Sequence, residues 1–411
     1  MSNSTASRLT PNKPFAMTKM ERSHIRHSRR IAAVQSPIIP VVGAWTRHIP
    51  GTLSLGQGMV SYPPPDSALA AIRDFGLQSK HHLYGSAFGH PPLLALIRDK
   101  LRRENGIDMG GGVDVMVTAG SNMAFLNVLL VITDPGDEII LPLPYYFNQE
   151  MAIRMLGCIP IGVPTDPHYQ LDIPRLRAAI TEKTRAIVTI SPNNPSGAVY
   201  PESALRAIND LCREYGLYHI SDEAYEYFTY GEAGHFSPGS LADAAPHTIS
   251  LYSLSKAYGF ASWRIGYLVY PAALTSSLLK VQDTNLICPP LISQVAAAGA
   301  LETGADYCKN HLPELSAKRE RVIATLQPLQ GLCEIPEPEG AFYLLLKIHT
   351  DKNDLEMAKT LIDDFKVAAI PGSAFGLIDG CYLRISYGML DPAQIDTAIG
   401  RLVDGIIRLA Q

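Results

Sequence analysis

The chain lacks the features that define several large classes of protein. No apolar run reaches the ~20 residues that a membrane-spanning helix needs. Its 35 Lys and Arg residues are balanced by 39 Asp and Glu residues, and no long basic block occurs. The formal net charge of −4 therefore argues against nucleic acid or an anionic membrane as the main partner. With 411 residues, 46% of them hydrophobic, the chain is long enough for two domains with a large core.

Cysteine is scarce, and the sequence contains no C-x-x-C pair. This argues against a zinc site and against a disulfide framework, so we predict no metal site. Free cysteines are typical of a reducing compartment, and we expect a cytoplasmic location. The six cysteines are widely scattered: Cys158, Cys212, Cys288, Cys308, Cys333 and Cys381.

The first 20 residues contain no acidic residue and no apolar stretch of the kind found in secretory signals. We predict that residues 1–27 form a disordered tail outside the fold. A transit peptide is one alternative. Another is a start assigned too early, with Met17 or Met20 as the true first residue.

Strand-like and helix-like patterns alternate from about residue 66 to residue 270. A strand at 113–118 precedes a helix at 121–133, and a strand at 186–191 precedes a helix at 202–215. Such alternation predicts an α/β fold with a doubly wound, mostly parallel sheet. We assign this large domain to residues 63–290.

The pattern changes after residue 290, where long helices are followed by strands at 339–347 and 382–386. This predicts a smaller α+β domain over residues 291–411. We expect the N-terminal arm, residues 28–62, to complete it, so that the second domain is built from both chain ends.

A lysine follows the strand predicted at 248–254, in the motif S-L-S-K that contains Ser253 and Lys256. Open α/β sheets bind ligands at the carboxyl ends of their strands. A desolvated lysine beside a fixed cation such as Arg264 would have a lowered pKa, which suits attack on an aldehyde. Taken alone, however, the motif is better explained by an ordinary lysine in solvent.

Other strand ends carry polar motifs, each with a simpler structural explanation. T-A-G-S-N (118–122) precedes a helix whose free N–H groups favour an anion, although Ser121 could merely cap that helix. S-P-N-N-P-S-G (191–197) holds Asn194 rigidly between prolines, or simply makes a rigid turn. S-D-E-A-Y (221–225) places Asp222 after a buried strand, where it needs a partner or caps a turn.

Together these groups are an amine, a carboxylate, an amide with a phenol, and an anion cradle with an arginine. They match the aldehyde, the pyridine nitrogen, the 3-hydroxyl and the phosphate of pyridoxal phosphate. Cofactor enzymes impose recognisable binding motifs of this kind. The joint pattern therefore predicts a pyridoxal-phosphate site.

The motifs S-L-S-K-A-Y-G-F-A-S-W-R-I-G, N-N-P-S-G, S-D-E-A-Y and T-A-G-S-N resemble those of class I/II aminotransferases, which are fold-type-I pyridoxal-phosphate enzymes. The resemblance extends from about residue 28 to the C-terminus. L-G-Q-G-M-V-S-Y-P-P-P also resembles the entry segment of the kynurenine and glutamine transaminase branch. That branch has Phe-Pro-Asp-Phe where this chain has M-V-S-Y (59–62). We therefore do not infer the substrate of this chain from that of the branch.

The resemblance implies a role for each matching residue. Lys256 would bind the cofactor aldehyde and move the substrate proton, with Asp222 on the ring nitrogen and Tyr225 on the 3-oxygen. Gly58, Asn194 and Arg384 would contact the substrate, with Arg384 on its α-carboxylate. The other cofactor-binding residues would be Ser121, Asn122, Tyr146 (or else Tyr145), Asn194, Ser253, Arg264 and, in the neighbouring subunit's site, Tyr84.

These roles imply a homodimer and an aminotransferase that works by a ping-pong mechanism on an L-amino acid and a 2-oxo acid. A β/γ-elimination lyase or a cyclopropane-carboxylate synthase would use the same cofactor, and a non-catalytic regulator with this fold is a remote alternative. We expect the side-chain pocket to involve residues 38–39, Tyr62 and residues 285–290, the last from the partner subunit or from the same chain. These are mostly apolar, and no second arginine is assignable, which favours aromatic or other apolar donors.

Overall fold

The computed structural model describes residues 28–110 and 112–410, so the tail predicted at 1–27 lies outside the described residues. The strands, in chain order, are β1 (Leu53–Ser54), β2 (Val113–Thr118), β3 (Glu138–Leu143), β4 (Ile159–Pro164), β5 (Thr184–Ile190), β6 (Tyr218–Asp222), β7 (Thr248–Ser253), β8 (Gly266–Pro271), β9 (Cys333–Glu334), β10 (Tyr343–Ile348), β11 (Val367–Ala368), β12 (Ile370–Pro371) and β13 (Cys381–Ser386).

Helices cover the sheets and connect most strands. They are α1 (Arg29–Ala32), α2 (Ile38–His48), α3 (Asp66–Ala71), α4 (Pro91–Glu104), α5 (Ser121–Ile132), α6 (Phe147–Met155), α7 (Ile173–Ala178), α8 (Glu202–Tyr215), α9 (Leu254–Ala257), α10 (Thr275–Asn285), α11 (Leu291–Leu301), α12 (Asp306–Lys309), α13 (Leu312–Thr325), α14 (Asp354–Phe365) and α15 (Pro392–Leu409).

The larger sheet has seven strands in the order β2-β8-β7-β6-β5-β3-β4. Strand β8 runs antiparallel to both of its neighbours, and the remaining pairs are parallel. The predicted α/β class with a mostly parallel sheet is therefore confirmed. Strands β5 to β7 are almost entirely buried, as expected where helices cover both faces of a sheet.

The register of the central strands brings the predicted motifs to one edge. Ile190 at the end of β5 pairs with Asp222 at the end of β6, and Asp222 pairs with Leu251 near the end of β7. Parallel strands end at the same edge of a sheet. The segments that follow these strands, with Asn194 and Lys256, are therefore neighbours in space although they are distant in sequence.

A second, smaller sheet has the order β12-β13-β10-β9, with every pair antiparallel. The N-terminal arm joins this region, because β1 pairs in parallel with β11 through Leu53 and Val367. Ile38 and Val42 of α2 belong to a buried apolar cluster that includes Ile362 of α14. The arm and the C-terminal elements thus share a core, whereas the predicted boundaries at residues 62 and 290 stay predictions.

Some predicted elements are shorter than the sequence pattern indicates. The strand predicted at 339–347 begins only at Tyr343, because Ala341 has a φ of 53°, which an extended strand cannot contain. The helix predicted at 175–182 ends at Ala178. The side-chain oxygen of Thr184 there accepts a hydrogen bond from the Thr181 N–H, and such local bonds compete with a helix.

The sequence pattern does not predict α6, α10 or α14. Helix α6 is buried on most of its surface, including Gln149 and Glu150, so its polar residues do not mark a solvent face. Helix α14 has a readable start signal. The Asn353 side chain accepts hydrogen bonds from the N–H groups of Leu355 and Glu356, as an N-cap does.

Candidate active site

A cavity of about 280 Å³ lies at the carboxyl ends of the central strands. Every residue to which the family resemblance assigns a cofactor or substrate role, except Tyr84, lines it. These residues are Gly58, Ser121, Asn122, Tyr146, Asn194, Asp222, Tyr225, Ser253, Lys256, Arg264 and Arg384. Tyr145, the alternative to Tyr146, does not line this cavity.

Lys256 lies on the short helix α9, immediately after β7, and its side chain is partly buried. Its Nζ donates a hydrogen bond to the carbonyl oxygen of Gly58. Burial, together with the nearby charges of Arg384 and Arg264, lowers the pKa of Lys256 to about 8. At pH 7 roughly a tenth of such an amine is uncharged, far more than for a lysine in solvent. Lys256 is therefore not the ordinary lysine in solvent that the sequence alone allows.

Asp222 ends β6 and is buried, with 7% of its surface exposed. One carboxylate oxygen accepts a hydrogen bond from the Ala224 N–H at 3.2 Å, and the other accepts from Gln149 Nε2 at 2.8 Å. Burial raises the pKa of Asp222 to about 6, and the two hydrogen bonds oppose that rise. The predicted capping role therefore accounts for only one of the two carboxylate oxygens. The whole carboxylate is a buried anion that borders the cavity.

A buried polar cluster supports the segment that contains Asp222 and Tyr225. The Glu223 carboxylate accepts a hydrogen bond from the Tyr252 hydroxyl at 3.0 Å. One turn further on, Glu226 forms a buried ion pair with Lys100 of α4. Separating the partners of a buried ion pair is costly, because each charge is then left uncompensated. These contacts therefore hold the segment in place.

The T-A-G-S-N motif forms an anion cradle. Gly120 precedes α5 with a φ of 86°, and no side chain caps the first N–H groups of this helix. This positive φ favours glycine, and a Cβ atom there would approach the Arg264 guanidinium carbon to 3.0 Å, so the arginine side chain would have to shift. Free N–H groups, the Ser253 hydroxyl and a guanidinium together suit a phosphate. The simple capping role considered for Ser121 does not occur, because Ser121 is the first helical residue.

Asn194 and Tyr225 approach the cavity from different strand ends. The Asn194 side-chain oxygen accepts a hydrogen bond from Arg384 Nη1 at 3.0 Å. Within the described ranges its amide nitrogen has no protein partner, so it can donate into the cavity. The Tyr225 hydroxyl is 2.7 Å from the hydroxyl of Tyr343. An amide donor and a phenol thus converge on one region of the cavity.

Arg384 is a buried arginine of the site, and only 2% of it is exposed. It donates to Asn194 and to the carbonyl oxygen of Gly56. Its guanidinium carbon lies 4.8 Å from the ring centre of Tyr343 and 5.2 Å from that of Phe375. This arginine has no carboxylate partner among the described residues, which leaves a buried positive charge suited to a carboxylate ligand.

The structure also shows contacts that the sequence analysis misses. Gln149 and Tyr343 hold Asp222 and Tyr225, but no local motif marks either residue, because both act through contacts that are distant in sequence. Tyr62 is expected in the pocket, but it does not line the cavity. Its hydroxyl donates to the Lys256 carbonyl oxygen at 2.8 Å, while its ring stacks on His311 with 3.9 Å between ring centres.

The remaining predicted pocket residues have different positions. Ile39 of α2 lines the cavity, whereas residues 285–290 of the same chain do not. The Asn285 amide instead donates to Asn127 at 2.7 Å. Tyr84 is 82% exposed on the surface, away from this chain's own cavity. Its predicted contact with a neighbouring subunit stays a prediction.

Comparison with known proteins identifies the family. The sequence matches the family described as "Aminotransferase class I and II" over residues 50–402. The chain belongs to the class I and II aminotransferases. The predicted family and the predicted transaminase class are therefore confirmed.

Individual relatives of this aminotransferase differ in the substrates that their names give. It is 33% identical over 391 residues to the aromatic aminotransferase ISS1 of Arabidopsis thaliana, covering 93% of this chain and 96% of that protein. It is also 33% identical to a probable aspartate/prephenate aminotransferase of Aquifex aeolicus, over 87% of this chain and 90% of the relative. The resemblance to the kynurenine-type branch is not confirmed by these relatives.

Solved structures agree with this fold. The aspartate aminotransferase of Thermus thermophilus with maleate superposes with a TM-score of 0.85 at 30% identity. The match covers 93% of this chain and all of that one.

Across 28–110 and 112–410, no helix has both the length and the apolar character needed to span a bilayer. The same residues contain no cluster of His, Cys, Asp and Glu that could hold a metal ion.

Proposed function

We propose that this aminotransferase uses pyridoxal phosphate to move an amino group between an L-amino acid and a 2-oxo acid by a ping-pong mechanism. The observation that supports the proposal best is the meeting of Lys256, Asp222 and the anion cradle in one cavity. A partly buried amine, a buried carboxylate and a phosphate-type cradle are the groups that this cofactor requires.

The residues present fit the cofactor. The uncapped start of α5 with Arg264 would hold the phosphate, and Asp222 would hold the ring nitrogen. The Asn194 amide and the Tyr225 hydroxyl would donate to the 3-oxygen. Tyr146, rather than Tyr145, is the aromatic residue that borders the same cavity and would contact the ring face.

When bound, pyridoxal phosphate supplies an electron sink that makes the Cα–H bond of an amino acid acidic. The Asp222 carboxylate would keep a proton on the ring nitrogen, which strengthens that sink. Lys256, whose amine has a lowered pKa, would accept the proton from the substrate Cα and deliver it to the C4′ carbon of the cofactor. Arg384 would bind the substrate carboxylate and so fix which bond faces the amine.

We propose that the enzyme prefers aromatic or other apolar amino donors. Ile39, Met59 and Phe147 contribute apolar side chains to its lining. Among the described residues that line it, arginine occurs only at positions 264 and 384, and both have proposed roles. A second carboxylate on a donor would therefore lack a cationic partner from this chain.

A panel of amino donors with pyruvate and 2-oxoglutarate tests the function and the donor class together. We expect phenylalanine, tyrosine and aliphatic donors to give higher kcat/KM than aspartate. Initial rates measured against both substrates should give parallel double-reciprocal lines, as two half-reactions on one cofactor require.

Two outcomes of the panel would count against this proposal. Faster turnover with aspartate than with every apolar donor would refute the donor preference. Steady ammonia release from an amino acid without any 2-oxo acid would instead indicate a lyase.

We also propose a cytoplasmic homodimer with shared active sites. The unpaired state of all six cysteines supports a reducing compartment. Leu77, Leu83 and Tyr84 are 79%, 68% and 82% exposed within one short segment, and exposed apolar surface of this kind is typical of an interface. Light scattering should give twice the chain mass of 44.7 kDa. A mass of one chain at micromolar concentration would contradict the dimer.

A further inference from the structure

Tyr343 contacts three of the proposed active-site residues without lining the cavity itself. Its hydroxyl is 2.7 Å from the Tyr225 hydroxyl, and its ring lies under the Arg384 guanidinium at 4.8 Å. A Cβ atom at Gly58 would come within 3.1 Å of the Tyr343 ring carbon Cζ, so the Gly58 backbone lies directly against this side chain.

These contacts have different chemical consequences. Both tyrosines are buried, with 5% of Tyr225 and 1% of Tyr343 exposed. The Tyr225 hydroxyl is the only partner of the Tyr343 hydroxyl within the described ranges. If Tyr225 donates its proton into the cavity, its oxygen can only accept from Tyr343. The direction of both hydrogen bonds is then fixed by the geometry.

We propose that Tyr343 is a positioning residue that acts on the cofactor's 3-oxygen through Tyr225 and on the substrate carboxylate through Arg384. This inference rests on the proposed pyridoxal-phosphate function. Hydrogen bonds in a chain polarise one another, so a proton donated by Tyr343 makes Tyr225 a stronger donor. The aromatic face of Tyr343 stabilises the Arg384 guanidinium before the substrate carboxylate binds.

The hydroxyl and the ring of Tyr343 therefore have separable roles. In the cofactor-loaded enzyme, a donor at the 3-oxygen would be most stabilising when the Lys256 nitrogen has lost its proton, because the oxygen would then carry more uncompensated negative charge. Loss of the donor chain should raise the pH at which that nitrogen titrates. Loss of the ring should weaken carboxylate binding instead.

Other charged or titratable groups face the same region. Tyr146 and Arg384 lie near the hydroxyl pair, and Arg384 and Arg264 lie near the Lys256 amine. Tyr343→Phe removes one hydroxyl group and leaves all of these side chains in the protein. A shift in titration can then be assigned to the hydroxyl alone.

The test uses the cofactor-loaded enzyme and follows its visible absorbance band as a function of pH. We expect Tyr343→Phe to raise the midpoint by about 0.5 to 1 pH unit, as loss of one hydrogen bond implies. Tyr225→Phe should raise it further. Tyr387→Phe is the matched control, because Tyr387 is buried and its N–H donates to the Phe342 carbonyl oxygen beside Tyr343. The Tyr387 hydroxyl has no hydrogen-bond partner among the described residues, so the midpoint of this variant should equal that of the parent.

A second variant tests the ring. Tyr343→Leu removes the face under Arg384, and we expect the KM for the amino acid to rise about threefold or more. Tyr343→Phe keeps that face and should leave KM near the parent value. Circular dichroism and thermal unfolding of each variant show whether the fold is retained.

The outcomes separate this inference from the proposed function. Absence of any visible band in the parent enzyme would overturn the cofactor assignment itself. A parent band with an unchanged midpoint in Tyr343→Phe, while Tyr225→Phe is shifted, would overturn the role of Tyr343. Equal KM values in the Phe and Leu variants would overturn its action through Arg384.

Discussion

Lys256→Ala should reduce transaminase turnover by about 10⁴-fold or more, because one side chain performs two tasks. Its amine would join the cofactor covalently and would also carry the substrate proton. No nearby lysine can substitute for it, since Lys256 is the only lysine among the described residues that line the cavity. The measurement is kcat with the best donor of the panel, together with the absorbance of the cofactor-loaded protein.

A surface lysine provides the control for this change. Lys359 pairs with Asp363 on an exposed face of α14 and does not line the cavity, so Lys359→Ala should keep the parent kcat. Full turnover in Lys256→Ala would refute the catalytic assignment.

The pKa of Lys256 also predicts how the protein without cofactor reacts. A lysine with a pKa of about 8 should bind an aldehyde faster as the pH rises from 7 to 9, and the rate should then level off. The rate for an ordinary lysine would continue to rise well above pH 9. Aldehyde binding at several pH values, trapped by borohydride and located by peptide mapping, distinguishes the two.

Asp222→Asn should lower kcat/KM on the order of 10²–10³-fold while keeping the fold. Asparagine has the same shape, and its side-chain oxygen can still accept from the Ala224 N–H. The Gln149 side-chain oxygen has no partner among the described residues, so this amide can rotate to accept from the new Asn nitrogen. The variant therefore loses the negative charge with little loss of hydrogen bonding.

The control for Asp222→Asn applies the same chemical change to an exposed carboxylate. Asp396 pairs with Arg321 on the surface, and Asp396→Asn should leave kcat/KM at the parent value. Equal kcat/KM in Asp222→Asn and the parent would show that the charge of Asp222 has no role in the reaction. Unfolding temperatures of both variants show whether stability contributes to any loss.

The sequence by itself determined the fold class and the residues of the candidate site. Strands β5 to β7 are short, apolar and bounded by turn residues, so periodicity and length identify them. The polar motifs directly follow these strands. Because parallel strands end at one edge, the order of elements was enough to predict that Asn194, Asp222 and Lys256 would meet.

Only the tertiary structure decided the surroundings of these residues. Gln149 comes from a helix that the sequence pattern does not predict, and Tyr343 comes from the smaller sheet, yet they contact Asp222 and Tyr225. Tyr62, expected in the pocket, instead holds the Lys256 backbone. Local sequence encodes the propensity for strands and turns, whereas these contacts depend on how distant segments pack. They arise only when helix, sheet and N-terminal arm share a core.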